Sequence, residues 1–182
     1  MPDCTGQQML FGRVGRREIE ADFTGGALSS DGGLMLVRQV DRQIGLSRAV
    51  AAALSDPRAP ERITHPLHDL VAQRLYGLCC GYEDLNDHDV LRHDPLMQTA
   101  VGKVDELASS PTFSRLETRT TRADVMALNR VLVEQFIVAQ AKAPDELILD
   151  VDASDVPLHG EQELSQFHGY YDHYCYLPLY IF

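Results

Sequence analysis

Residues 147–152 read Leu147-Ile148-Leu149-Asp150-Val151-Asp152, and residues 170–182 read Tyr170-Tyr171-Asp172-His173-Tyr174-Cys175-Tyr176-Leu177-Pro178-Leu179-Tyr180-Ile181-Phe182. The first is a short apolar run that ends in acid, the pattern of a buried strand whose tip reaches a site. The second is aromatic and β-branched, and Tyr174, Tyr176, Tyr180 and Phe182 fall on one alternating face, which predicts a second strand. Between them, Val156 to Gly169 reads as a loop containing Pro157 and Gly160. The two segments predict a β-hairpin over 146–182. A hairpin alone is marginal, and a last strand of Leu179-Tyr180-Ile181-Phe182 presents an apolar edge. The sequence therefore reads as a sheet begun and truncated.

Upstream the periodicity changes from two to helical. Arg17 to Phe23 alternates and fits one half-exposed strand. After capping residues Ser29 and Ser30, with Asp31 suited to a helix dipole, Leu34, Val37, Val40, Asp41 and Ile44 follow at helical spacing up to Gly45. An alanine-rich helix from Ser47 ends before Pro57, and Ser55 to Thr64 is a polar linker. His65 to Cys80 places Leu67, Leu70, Val71, Leu75 and Leu78 on one face and stops at Gly81. Shorter helices are expected over 87–92, 95–101 and 112–117. Arg122 to Ala143 is a longer one, with Val125, Leu128, Leu132 and Phe136 on one side. The fold class is α+β: a mainly helical region over 1–145, then the opening of a sheet over 146–182.

Composition narrows the class. At 182 residues, 45% apolar and 24% charged, the chain suits a soluble globular protein. It has neither an apolar run long enough to span a bilayer nor the features of a signal peptide, so cytoplasmic location is expected. Cys4, Cys79, Cys80 and Cys175 match no zinc ribbon or disulfide framework and read as reduced, buried thiols. The net charge of −11 argues against a nucleic-acid binder, whose footprint is usually basic. Bound metal at an acidic cluster would offset part of that charge.

Four constellations have the residue types for chemistry. Asp150 and Asp152 point to one side of the expected strand, with Asp155 and His159 following. Like carboxylates on one face repel unless a cation or proton lies between them, and magnesium is the natural cation. Spacing alone fits solvated acids opening a turn slightly better. In the second constellation, Glu83 to Asp94, capping and turn chemistry account for Asp84, Asn86, Asp87 and Asp94 without a metal. His65 and His68, beside Asp69, read more simply as a polar helix start than as a ligand pair. The fourth, Ser110-Pro111-Thr112-Phe113-Ser114-Arg115-Leu116-Glu117, puts hydroxyls and an arginine on a short helix, with Arg119, Arg122 and Arg130 nearby. Such a helix meets phosphates and base edges; a plain capped helix fits equally well.

Several blocks, in order along nearly the whole chain, resemble the insertion-sequence transposases of DDE group 1, particularly the family designated thirteen-eighty. They are Ser29-Ser30-Asp31-Gly32-Gly33; Gly81-Tyr82-Glu83-Asp84 with Asn86 to Asp89 and Leu91 to Pro95; Pro111 to Glu117; Leu149 to Asp155 with Pro157 to Gly160; and Gly169 to Asp172 with Tyr174 to Leu179.

The resemblance implies an RNase H-like catalytic core in which two Asp and a Glu hold divalent ions, Mg2+ or Mn2+, for attack on a phosphodiester. It implies that the first acid is Asp152, a metal ligand, since an acid, a small residue and a hydroxyl residue stand in order there. Asp150 and Asp155 are the alternatives. Ser114, Arg115, Arg119 and Arg122 are the expected contacts to transposon-end DNA, the terminal inverted repeats. The other two acids are expected beyond Phe182, so this chain is expected neither to hold the ions tightly nor to cut DNA alone. Self-association or pairing with full-length transposase is expected, and no membrane contact. A non-catalytic DNA-binding or inhibitory module, and an inert truncated product, stay open beside a transposase.

Overall fold

A computed structural model describes residues 9–21, 31–158 and 160–182. Ser29, Ser30, His159 and Cys4 lie outside the described residues. The chain divides into two units, Met1–Ala139 and Gln140–Phe182, a few residues before the boundary expected from sequence.

The first unit opens with a hairpin rather than a single strand. β1 (Met9–Val14) pairs antiparallel with β2 (Arg17–Ala21). The linking residues are Gly15 and Arg16, and Gly15 sits at φ 57°, which a Cβ would disfavour. The helices that follow are α1 (Leu34–Ile44), α2 (Leu46–Ala53), α3 (Leu67–Cys79), α4 (His88–Leu91), α5 (Pro95–Val101), α6 (Ser110–Thr118) and α7 (Arg122–Ala139). Gly45 and Gly102, both left-handed, close α1 and α5 where sequence places the stops. Asp94 caps α5, accepting from the N–H groups of Leu96 and Met97 at 2.6 and 2.9 Å. Asp84 accepts from Asn86 N–H at 2.9 Å in the same manner.

The buried faces differ from the expected ones. In α1 the residues turned inward are Leu34, Met35 and Arg38, while Val40 and Ile44 are about half exposed. In α7 only Asp124 and Val131 are buried, and Val125, Leu132 and Phe136 face outward. Hydrophobic spacing identifies a helix, but the neighbours it meets select which stripe is covered.

Two apolar clusters hold this unit. Phe11, Leu34, Met35, Ala72, Tyr76, Leu91, Met97, Ala100 and Leu107 form one; Leu70, Ala108, Phe113 and Leu116 form the other. Buried polar groups fix the packing between helices. Asp41 accepts from the Ser47 N–H and hydroxyl and from the Tyr76 hydroxyl, at 2.8, 2.6 and 2.8 Å, tying α1, α2 and α3. Asp124 and Thr121 form a reciprocal cap at the start of α7. Asp124 also accepts from Ser55, and the Thr121 and Ser55 hydrogen bonds hold its carboxyl far below the usual carboxylate range.

Gln73 on α3 reads the backbone of Ala108 with both ends of its amide, at 2.9 and 3.0 Å. The same nitrogen lies 3.2 Å from His88 Nδ1, so Nδ1 must accept and His88 is neutral with its proton on Nε2. His88 is fully buried, its ring 4.2 Å from that of Phe113. Gly77 admits it: a Cβ there would meet His88 Cε1 at 3.1 Å.

Burial, then the Arg74 charge, push the His88 pKa down to about 4 from 6.5. Below pH 6.5 the unfolded state takes up a proton that the folded state refuses, so stability falls with pH until about pH 4. The window is worth about 3 kcal/mol. Urea midpoints measured from pH 7 to pH 5 should decline more steeply in the natural chain than in His88→Gln. Parallel curves would show that His88 contributes nothing to this decline.

The second unit holds a two-stranded ladder and a three-stranded sheet, both antiparallel. β3 (Val151–Ala153) pairs with β7 (Leu179–Ile181), and β4 (Val156–Pro157) pairs with β6 (His173–Tyr176). Asp150 and Phe182 exchange both backbone hydrogen bonds, 3.0 and 2.9 Å. One register thus runs unshifted from Asp150–Phe182 to Pro157–Cys175. It is interrupted where Ser154 N–H donates to Pro178 O at 3.1 Å, because proline has no N–H to return.

Three expectations for this unit are corrected. Leu147, Ile148 and Leu149 are exposed and outside the ladder, which starts where Asp150 faces Phe182. The expected second strand is split in two at Leu177-Pro178. The expected loop after Val156 contains β5 (Gln166–His168), which pairs with the far side of β6 through the turn at Gly169 to Asp172. Asp172 there has φ 58° and donates from its N–H to His168 O at 2.9 Å.

Candidate functional site

Asp152 stands on β3 opposite Tyr180 of β7. Side chains alternate along a strand, so Asp150 and Asp152 share a face with Tyr180 and Phe182 across the ladder. The rings of Tyr180 and Phe182 stack 6.2 Å apart, interplanar angle 17°. Both carboxylates are exposed. They offer oxygen ligands on a rigid paired segment, the donor type a hydrated magnesium ion accepts while keeping several waters.

Asp155 belongs elsewhere. It lies in the link between β3 and β4, where both its oxygens lie 3.0–3.2 Å from His173 Nε2. Of the three acids expected together from sequence, Asp155 is thus taken up by His173.

On α6, Phe113 and Leu116 turn inward while Ser114 and Arg115 are exposed. Arg115 Nη2 donates to Thr112 Oγ1 at 3.2 Å, a local contact that a phosphate could replace. Arg122, at the first turn of α7, is also exposed. Arg119 differs: it is half-buried, and its Nη2 lies 3.4 Å from Asp56 Oδ1. Asp56 is held mainly by Arg58, at 2.7 Å, and that hydrogen bond lowers the carboxyl's pKa against the opposing effect of burial. Arg119 is thus engaged in joining α6 to the linker after α2, and only Ser114, Arg115 and Arg122 of the expected contacts remain free to meet a ligand.

The other constellations are structural or do not converge. Asp89 accepts from Ser110 N–H at 2.9 Å and so anchors the start of α6. His68 Nε2 lies 3.3 Å from Ser47 Oγ, and His65 O accepts from Arg58 at 2.9 Å. Of the thiols described, Cys175 alone is buried; Cys79 is exposed and Cys80 partly so.

Sequence reasoning missed the Gln73–His88–Ala108 network and the grouping of Asp155, His173 and Cys175. For the latter a signal exists: His173 and Cys175 alternate on one strand of the hairpin, and pairing brings Asp155 to them.

Residues 11–182 match the model of the transposase DDE domain group 1, and the chain belongs to that family. The family acts on DNA and its members generally use divalent metal ions. No curated protein and no solved structure gives a significant match. Among the described residues no helix is long and apolar enough to cross a membrane.

Proposed function

We propose that the chain carries the end-recognition region and the first catalytic acid of an insertion-sequence transposase of the family designated thirteen-eighty. In this reading β3 and β7 belong to an RNase H-like sheet, and Asp152 is the first of three acids that hold the ions. The observation that carries the assignment is the position of Asp152. It lies on a paired strand, is exposed, and has Asp150 as the only other acid on its face of β3 and the residues flanking it.

Bound Mg2+ or Mn2+ would supply activation of water or a DNA 3′-hydroxyl and stabilisation of the leaving oxygen. The protein's own part is to hold Asp152 rigidly through the backbone ladder, so that ligand geometry is set before the ion arrives. Asp150 adds negative potential that attracts the cation without having to bind it directly. Tyr180 and Phe182 give the face a flat apolar border against which a sugar or base can rest.

DNA ends are met by α6 and the first turn of α7 through Ser114, Arg115 and Arg122. Phosphate contacts of this kind supply affinity and fix register on the duplex. The exposed apolar residues of α7, Val125, Leu132, Val133 and Phe136 among them, support pairing between copies of the transposase. The test of end recognition is salt dependence. Arg115→Ala should weaken binding to terminal-repeat duplexes and flatten the slope of log affinity against log salt by about one unit. If affinity and slope both stay as they were, α6 is not the reading helix.

A further inference from the structure

The β4–β6–β5 sheet and the link before it carry a second group of ligand-type side chains. Asp155, His173 and Cys175 each present one ligand atom, and these atoms lie within 4.8 Å of one another. His173 Nε2 lies 3.0 Å from Asp155 Oδ2, and the Cys175 sulfur lies within the same 4.8 Å group. On β5, His168 stands in register with His173, and its Nδ1 is buried with no hydrogen-bond partner. Among the described residues of Gln140–Phe182, Cys175 is the single buried residue. A unit with so little buried surface is of the kind that gains from a metal staple.

We propose that Asp155, His173 and Cys175 form a binding site for a zinc-class divalent ion, separate from the magnesium-type position at Asp152. A thiolate, an imidazole and a carboxylate are the donor set of tetrahedral zinc, whereas magnesium demands oxygen ligands. Neighbouring ligand atoms around zinc stand roughly 3.3–3.7 Å apart, so closing the site requires a contraction of about 1 Å, within the reach of small side-chain rotations. The fourth position is left to water or to His168.

Access is open on one side. The His173 side chain is 38% exposed, and with Pro157, Gly160 and Glu161 it lines a cleft of about 540 Å³. On binding, the Cys175 S–H bond breaks, its proton passes to solvent, and the sulfur forms a bond to the ion. His173 and Asp155 exchange their mutual contact for the metal. Because the thiol must lose its proton to bind, affinity should increase with pH and one proton should be released per ion. The ion would clip β6 to the β3–β4 link and stiffen the strand pair that positions Asp152.

The experiment uses the full chain, reduced and metal-free, titrated with Co2+ as a spectroscopic probe. One ion per chain should bind with a sulfur-to-cobalt charge-transfer band, be displaced by Zn2+, and be unaffected by excess Mg2+. Cys175→Ser should abolish the band, and Asp155→Asn should weaken binding roughly hundredfold. The Cys79→Ser/Cys80→Ser double variant should bind as the natural chain does. Circular dichroism confirms that each variant is folded, and the thiolate band of the natural chain is informative without any variant. Absence of that band, its survival in Cys175→Ser, or its loss in the Cys79→Ser/Cys80→Ser variant would each overturn the site. None of these outcomes depends on DNA cleavage, so they stand apart from the transposase reading.

Discussion

Asp152→Asn should abolish DNA strand cleavage when residues 11–182 of this chain occupy the matching place in a family transposase whose three acids are complete. The substitution keeps the shape and removes a ligand charge. Losing the metal-assisted stabilisation that depends on it corresponds to roughly a thousandfold or more in rate, about 4 kcal/mol of barrier. Asp152 is exposed and makes no described side-chain contact that holds the sheet, so the variant should unfold at the same temperature as its parent. Asp150→Asn should cost far less, because that acid contributes potential rather than a ligand bond. Asp155→Asn should cost less than Asp152→Asn, because Asp155 is taken up by its contact with His173. Cleavage assays on a labelled terminal-repeat duplex with magnesium separate the three. Full activity in Asp152→Asn with loss in Asp150→Asn would move the role to Asp150.

The second large effect concerns stability. Phe113 is completely buried, in a cluster with Leu70, Ala108 and Leu116, and its ring lies against His88. Phe113→Ala should cost about 3–5 kcal/mol, combining lost transfer energy with the cavity that rigid neighbours leave open. Its thermal midpoint should drop by more than about 8 °C. The neighbouring Ser114→Ala, on the exposed side of the same helix, should change stability by less than about 0.5 kcal/mol. Thermal and urea unfolding of the pair test how α6 is anchored. A loss under about 1 kcal/mol in Phe113→Ala would mean that α6 is not held through this cluster. The exposed residues proposed to meet DNA could then not be treated as fixed in place.

Much of the local structure was legible. The stops at Gly45, Gly81 and Gly102 and the cap at Asp94 follow from single-residue conformational preferences, which act whatever the surroundings. The strand alternation that groups Tyr180 with Phe182, and Asp150 with Asp152, also holds, because it depends only on the pleat. Less legible was any feature decided by a partner far along the chain. Gln73 looks like one more polar residue on a helix until Ala108 is set beside it. Arg119 looks as available for DNA as Arg115 until Asp56 is found against it. Val125 and Phe136 read as a core stripe, yet Asp124 and Val131 are what α7 buries.

The sequence by itself determined a mixed helix-and-strand class, most of the helices and the blocks that carry the family resemblance. Backbone preference and hydrophobic period are local, and they survive in any context. Only the tertiary structure decided that Asp155 parts company with Asp152. Asp152 stands on β3 opposite Tyr180, whereas Asp155 lies in the link to β4 and meets His173. Strand pairing carries His173 and Cys175 to Asp155 from across the loop. Residues far apart in sequence become one site only when a register is chosen, and the backbone hydrogen bonds between the strands make that choice.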